Sequence, residues 1–291
     1  MKRKQVIKNT YTSRQIFIKK FMKNKLAVVG SLIIIVFVIM AIFAPIFATF
    51  DPNTTDLLNI RTSPNKVHIL GTDDLGRDIF SRLLYGGRVS IAVGVASMIL
   101  QILIGVTIGV IAGYFGGLID KSIMRIVDII MCFPFFVIAI ALAAVIGGSI
   151  TNLVLIIGML MWPVITRIVR GEVLVTKQNE YILAAKALGF NTFEIIIHHI
   201  IPNIISAILV SSTLCIAQGI LMEATLSFLG LGVNPPTPSW GNMLVAAQNM
   251  SVLSHKWWMW IPAGMSVVLI VLSVNFVGDG LRDALDVEKS V

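Results

Sequence analysis

Charged residues are scarce in this chain, at 13% of the total. Soluble domains carry roughly 25%, so most of this surface lacks the groups needed to face water. Mean hydropathy is +0.89, which makes lipid the solvent for most of the molecule. Cysteine is also sparse: Cys132 and Cys215 both lie in apolar runs, as inert buried thiols do, and form neither a disulfide framework nor a thiolate metal centre. Four histidines give no ligand cluster, because His198 and His199 are adjacent while His68 and His255 stand apart. No G-x-x-x-x-G-K-[ST] string occurs, so the sequence offers no phosphate cradle for a nucleotide and no enzymatic site, metal or cofactor is expected.

What is present is a set of long apolar runs. Measured against the roughly 20 residues that cross a bilayer, they predict six spans, near Leu26–Phe50, Ile91–Tyr114, Ile126–Gly147, Leu153–Ile168, Ile204–Met222 and Trp258–Val277. The fourth is the shortest and holds Pro163. The expected class is an all-α, six-helix membrane protein. The first 25 residues carry nine basic and no acidic residues, which places the N-terminus in the cytoplasm by the positive-inside rule. Six spans return the C-terminus to the same side and leave 17 of the 23 basic residues there. That rule accounts for the pI near 9.7 without nucleic acid. Ile16, Phe17, Ile18, Phe21 and Met22, set among Arg14, Lys19, Lys20 and Lys23, predict an interfacial helix on anionic headgroups, not a cleaved signal. The chain thus divides into a basic segment (1–25), a first span with its external loop (26–87), a membrane core (88–279) containing a polar loop (178–203), and a cytoplasmic tail (280–291).

The polar loop reads EYILAAKALGFNTFEIIIHHIIPN from Glu180 to Asn203. Asn179 is placed to cap a first helix, with Glu180 at its positive end. Tyr181, Ala184, Ala185 and Leu188 recur at helical spacing and form one thin face. Gly189 is the expected C-terminal stop, Asn191 and Glu194 have capping-box spacing for a second helix, and Pro202 marks where the membrane run resumes. A short exposed helix with a small-residue face is suited to docking. Within the second span, Gly105, Gly109, Gly113 and Gly117 stand four residues apart and predict a helix–helix contact, with Gly116 and Gly117 in the turn beyond. Asp128 and Glu223 are the acidic residues nearest the apolar runs and are expected at the membrane interface. Outside, Thr72 or Asp73 is expected to cap a short helix, and Trp240, Trp257, Trp258 and Trp260 suit an aromatic belt.

Glu180, Ala184, Ala185, Gly189 and the Ile200–Ile201–Pro202 string resemble the EAA loop of ATP-binding-cassette importer permeases. Three further strings, LGTDDLGRDIFSRLLYGGRVS from Leu70, EATLSFLGLGVNPPTPSWGNML from Glu223 and NFVGDGLRDALD from Asn275 to Asp286, resemble the C-type permease subunit of dipeptide, oligopeptide and nickel importers. The resemblance implies a type I importer permease in a bacterial inner membrane, with the EAA loop coupling it to cytosolic ATPases. It implies a homologous second permease, two ATP-binding subunits and an extracytoplasmic solute-binding protein as partners. Import of peptides, or alternatively of nickel or a metal–metallophore complex, is the implied activity. An ion-coupled secondary transporter and a membrane scaffold are the readings from other classes. The first would show charged residues at mid-span in paired repeats, and the second would carry no flux.

Overall fold

Inside a bilayer every backbone N–H and C=O must be bonded within the chain, so the apolar runs become helices. The computed structural model describes residues 13–285 and contains no strand among them. Residues 1–12 of the basic segment and 286–291 of the tail, including Asp286 of the last matched string, lie outside the described residues.

Helix α1 (Ser13–Lys23) is followed by α2 (Lys25–Ile42), which Asn24 caps by accepting a hydrogen bond from the Ala27 amide at 3.2 Å. A short α3 (Ala44–Phe47) ends the first apolar run. The external loop then leads into α4 (Ile79–Phe115), 37 residues long and far longer than the run that predicts it. Its start is set by Asp78, not by Thr72 or Asp73. Asp78 accepts from the Ser81 amide at 2.8 Å and sits 3.0 Å from the buried His68 ring. Thr72 is buried in the loop, and Asp73 closes a turn by accepting from the Leu75 and Arg77 amides at 2.9 and 3.0 Å.

The third predicted span is broken. Helices α5 (Gly117–Cys132) and α6 (Phe135–Ile146) meet at 79°, because Pro134 disfavours helix at Phe133 and itself supplies no amide to continue the ladder. Five helices are long and apolar enough to cross a membrane, or six if that pair counts as one. Pro163, by contrast, does not shorten the fourth: α7 (Ile150–Thr176) runs 27 residues through it. Two short helices follow, α8 (Glu180–Ala187) and α9 (Thr192–Ile195), then a π-helical turn (Ile196–Ile200) that passes without a stop into α10 (Ile201–Phe228). Small helices α11 (Trp240–Leu244) and α12 (Met250–His255) precede α13 (Ile261–Leu285).

In lipid, helices associate through close van der Waals packing, and small residues permit the approach. The closest seam joins α4 to α7. A Cβ at Gly105 would lie 2.7 Å from Ile165, one at Gly109 2.9 Å from Val169, and one at Gly113 2.8 Å from Val173. Glycines at four-residue intervals thus receive branched side chains at the same interval, the ridge-and-groove match of two i±4 rows. Gly117, the fourth of the series, has no neighbour within 4 Å and opens α5. Gly94 and Gly219 make a similar contact between α4 and α10, and Gly30 meets the Ser273 carbonyl between α2 and α13.

Glu223, expected at the membrane interface, is completely buried within the bundle. It lies on α10 and accepts hydrogen bonds from Ser90 of α4 and Ser227 of α10, each at 2.7 Å. Ser90 in turn accepts from the Trp240 amide at 3.1 Å. Trp240 is also buried, not in a lipid-facing belt: its ring stacks edge-on against Phe37 and its Nε1 donates to the Leu83 carbonyl at 3.0 Å. Glu223 thus joins α10 to α4 through Ser90, and Ser90 joins both to α11 through the Trp240 amide.

Two outcomes are expected. Gly109→Leu should abolish recovery of folded protein from detergent, because its side chain meets the α7 backbone at Thr166. Gly171→Ala, where nothing lies within 4 Å, should leave size-exclusion profiles unchanged. Glu223→Ala should cost about 3 kcal/mol in thermal unfolding by orphaning two buried hydroxyls, and Glu223→Gln should cost clearly less.

Candidate functional site

The loop between α7 and α10 is shaped by local sequence. Leu188 ends α8 and Gly189 follows at φ +85°, the left-handed conformation that glycine enters without a side-chain clash. The Gly189 amide donates to the Lys186 carbonyl at 3.1 Å and the Phe190 amide to the Ala185 carbonyl at 3.2 Å, the paired bonds of a Schellman stop. Asn191 and Glu194 then form a reciprocal capping box at 2.8 and 3.0 Å. Asn179 stands at the N-cap of α8, but its side chain makes no capping bond and donates instead to the Tyr181 hydroxyl at 3.2 Å.

Pro202 does not terminate the second helix. It lies in the first turn of α10, and the π turn before it lets the Ile201 amide bond to the Ile196 carbonyl, five residues back. The wider turn accommodates a residue with no amide of its own. Asn203 Nδ2 then donates to the His199 carbonyl at 2.6 Å.

The predicted face of α8 is split. Ala185 is buried with Ile182, whereas Tyr181, Ala184 and Leu188 are exposed. The reason is that the loop lies against the bundle: Ile182, Ala185, Ile195 and Ile200 share one core with Val169 and Val173 of α7 and Ile204 of α10. Glu180 is exposed at the first position of α8. Facing outward are Leu183, Leu188, Phe190 and Phe193, with Leu188 at 78% and Phe193 at 72% of full exposure. Phe190 and Phe193 are absent from the sequence reading. Their signal is two aromatics flanking a capping Asn in a polar loop; Phe190 meets the His199 ring edge-on at 5.9 Å, and both remain largely exposed.

Two basic residues extend the support to α4. Lys177 Nζ donates to the Gly113 carbonyl at 2.7 Å, and Lys186 Nζ lies 5.2 Å from the centre of the Tyr114 ring. The outward surface is therefore a rigid apolar knob carried on the ends of α4, α7 and α10. It holds no cluster of metal-ligating groups among the described residues.

At the opposite end of the bundle, Asp73 accepts from Arg77 Nε at 2.7 Å and lies 3.5 Å from Arg82 Nε, while Arg61 pairs with Asp74. Arg82 is buried and donates to the Pro52 carbonyl at 3.0 Å, anchoring the external loop to α4. Between them, Arg77, Arg82, Asn234 and Asn242 line a cavity of about 270 Å³. Charged residues also pair on α5 and α7: Asp120 with Arg170, bidentate at 2.5 and 2.6 Å, and Asp128 with Arg167 at 2.5 Å. The partner of Asp128 is 39 residues away, on a different helix, where helical spacing alone does not find it.

Residues 105–289 match the family described as binding-protein-dependent transport system inner membrane component, and residues 12–64 match the N-terminal TM domain of oligopeptide transport permease C. The chain is 45% identical over 268 residues to the oligopeptide transport system permease protein OppC of Bacillus subtilis (strain 168), covering 92% of this chain and 87% of that one. It is 44% identical to the dipeptide transport system permease protein DppC of Alkalihalophilus pseudofirmus, covering 92% and 88%. It is 41% identical to the glutathione transport system permease protein GsiD of Escherichia coli O6:K15:H31, covering 93% and 89%. The matched stretch contains the glycine seam, the broken helix and the apolar knob, and on this evidence the chain belongs to the family of binding-protein-dependent transport system inner membrane components.

Proposed function

We propose that this chain is the membrane-spanning permease subunit of an ATP-driven peptide importer, and that the α8–α9 knob is where a cytosolic ATPase docks. The observation that carries the docking reading is the division of the loop into two faces. Its inner residues belong to the bundle core, while Leu188, Phe190 and Phe193 face water on a segment whose backbone is capped at both turns. Exposed apolar groups on a rigid support mark a protein contact. The three named relatives transport oligopeptides, dipeptides and glutathione, and peptide cargo follows from that shared chemistry.

In this reading the N- and C-termini and the knob are cytoplasmic, the cavity beside Arg77 and Arg82 faces outward, and a solute-binding protein delivers cargo there. A homologous second permease supplies the other wall of the path, and two ATP-binding subunits supply the energy. The chain hydrolyses nothing itself. Closure of the ATPases displaces the knob, and the core shared by Ile182, Ala185, Ile195, Val169, Val173 and Ile204 transmits that displacement to α7 and α10. Because Lys177 and Lys186 also hold the end of α4, the three helices move together. Compliance is confined to the Gly116–Gly117 turn, where both residues have positive φ, and to the 79° break before α6.

Uptake of labelled di- and oligopeptides should be lost selectively in cells lacking the gene. Loss of labelled nickel uptake alone would move the cargo to metals with the architecture unchanged. Phe193→Asp and Gly189→Asp should both insert normally yet lower peptide uptake about tenfold or more, the first by placing a charge on an apolar contact and the second by also straining the left-handed turn that ends α8. Normal pull-down of the ATPases together with normal uptake would remove the docking assignment.

A further inference from the structure

Helix α2 is seated against α13, where Gly30 meets the Ser273 carbonyl, but it stands off α4 near its own end. There Val38, Ala41 and Ile42 of α2 and Ile91, Ala92 and Val95 of α4 line a groove of about 370 Å³. Ala41 and Ala92 are too short to close it. Arg88 completes the lining and is its one charged member. Ile42 is the last residue of α2, and Arg88 precedes the apolar run that begins at Ile91. The charge therefore lies at the end of the groove beside the 51–78 loop, where the span begins.

Arginines elsewhere are matched within the chain: Arg61, Arg77, Arg82, Arg167 and Arg170 each pair with an aspartate. Arg88 pairs with no carboxylate among the described residues, and its guanidinium lies 5.7 Å from the centre of the Tyr85 ring. A guanidinium fork matches a phosphate group with two parallel hydrogen bonds. The groove thus joins an apolar slot to an unmatched cation at the border of a membrane span.

We infer that this groove holds an anionic phospholipid, with an acyl chain between α2 and α4 and the phosphate on Arg88. One molecule then supplies the flexible apolar filling and the missing anion, in the order in which slot and cation occur. The two parts contribute differently. Lipid chains are as apolar as the groove, so filling it gains packing without a hydrophobic transfer, and any phospholipid would serve. Selection of the headgroup falls to Arg88. A zwitterionic headgroup brings a second cation that Arg88 repels, and the lining offers no carboxylate to receive it. The bound lipid also bridges α2 to α4 where side chains do not meet. The site is independent of the cargo and of the ATPase-docking assignment.

Native mass spectrometry tests this on the transporter purified with its partner subunits, in micelles holding equal phosphatidylglycerol and phosphatidylcholine with identical chains. The wild type should retain one phosphatidylglycerol per copy of this chain, preferred over phosphatidylcholine by about fivefold, the effect of one basic residue. Arg88→Gln should bring that ratio to about one, and Arg88→Lys, which keeps the charge but not the fork, should fall between. Ala92→Trp should fill the slot and displace the lipid. Arg88 and Ala92 are exposed, so each variant should keep the wild-type size-exclusion profile. Lys256→Gln, which removes a cation beside the Trp258 ring and away from the groove, should leave the ratio unchanged. A wild-type ratio of about one, or a preference that survives Arg88→Gln, overturns the inference. Loss of a partner subunit from the Ala92→Trp transporter would show that protein, not lipid, fills the groove, and would overturn it equally.

Discussion

The seam between α4 and α7 is the contact on which the rest of the molecule depends. Hydrophobic burial does not drive helices together in lipid, so α7 is held by shape, with Ile165, Val169 and Val173 seated against Gly105, Gly109 and Gly113. Three consecutive turns in register leave little freedom to slide or rotate. Val169 and Val173 also belong to the core that supports the α8–α9 loop. The same side chains therefore fix the bundle and the base of the loop. A force on the loop reaches the seam without passing through any flexible segment.

Polar groups within the bundle follow a second rule, that each must be matched locally because water is absent. At one end Glu223 satisfies Ser90 and Ser227, and Ser90 satisfies the Trp240 amide, so a single carboxyl group organises α4, α10 and α11. On α5 and α7 the matching is between opposite charges. The two solutions differ in exposure, complete burial for Glu223 and half exposure for Asp128.

Much of this architecture is legible in the sequence, and the legible parts are local. Run length locates the spans, the Gly105–Gly113 spacing marks the seam, and Gly189 with the Asn191–Glu194 pair marks the turns of the loop. The misread features depend on neighbours distant in sequence. Ala185 turns inward because α7 and α10 lie beneath it, Trp240 is buried because Phe37 and Leu83 enclose it, and Asp128 finds Arg167 across a helix pair. Prolines differ in effect from site to site. Pro134 breaks a run that length alone reads as one span, Pro202 stands where the membrane run resumes, in the first turn of α10, and Pro163 lies inside α7 without ending it. A proline removes one amide, and its consequence depends on whether the surrounding turn can widen, which spacing does not encode.

The positions of stiffness and of compliance then define how the chain can move. α4, α7, α10 and the knob are joined by a shared core, a lysine–carbonyl bond and a cation–π contact. α5 connects to this unit through two glycines of positive φ and to α6 through a sharp break, and it contacts α7 through ion pairs. Ion pairs wetted by water are weak and exchange partners readily, unlike interlocked branched side chains. A displacement at the knob would thus be carried rigidly by three helices and absorbed between α5 and α7.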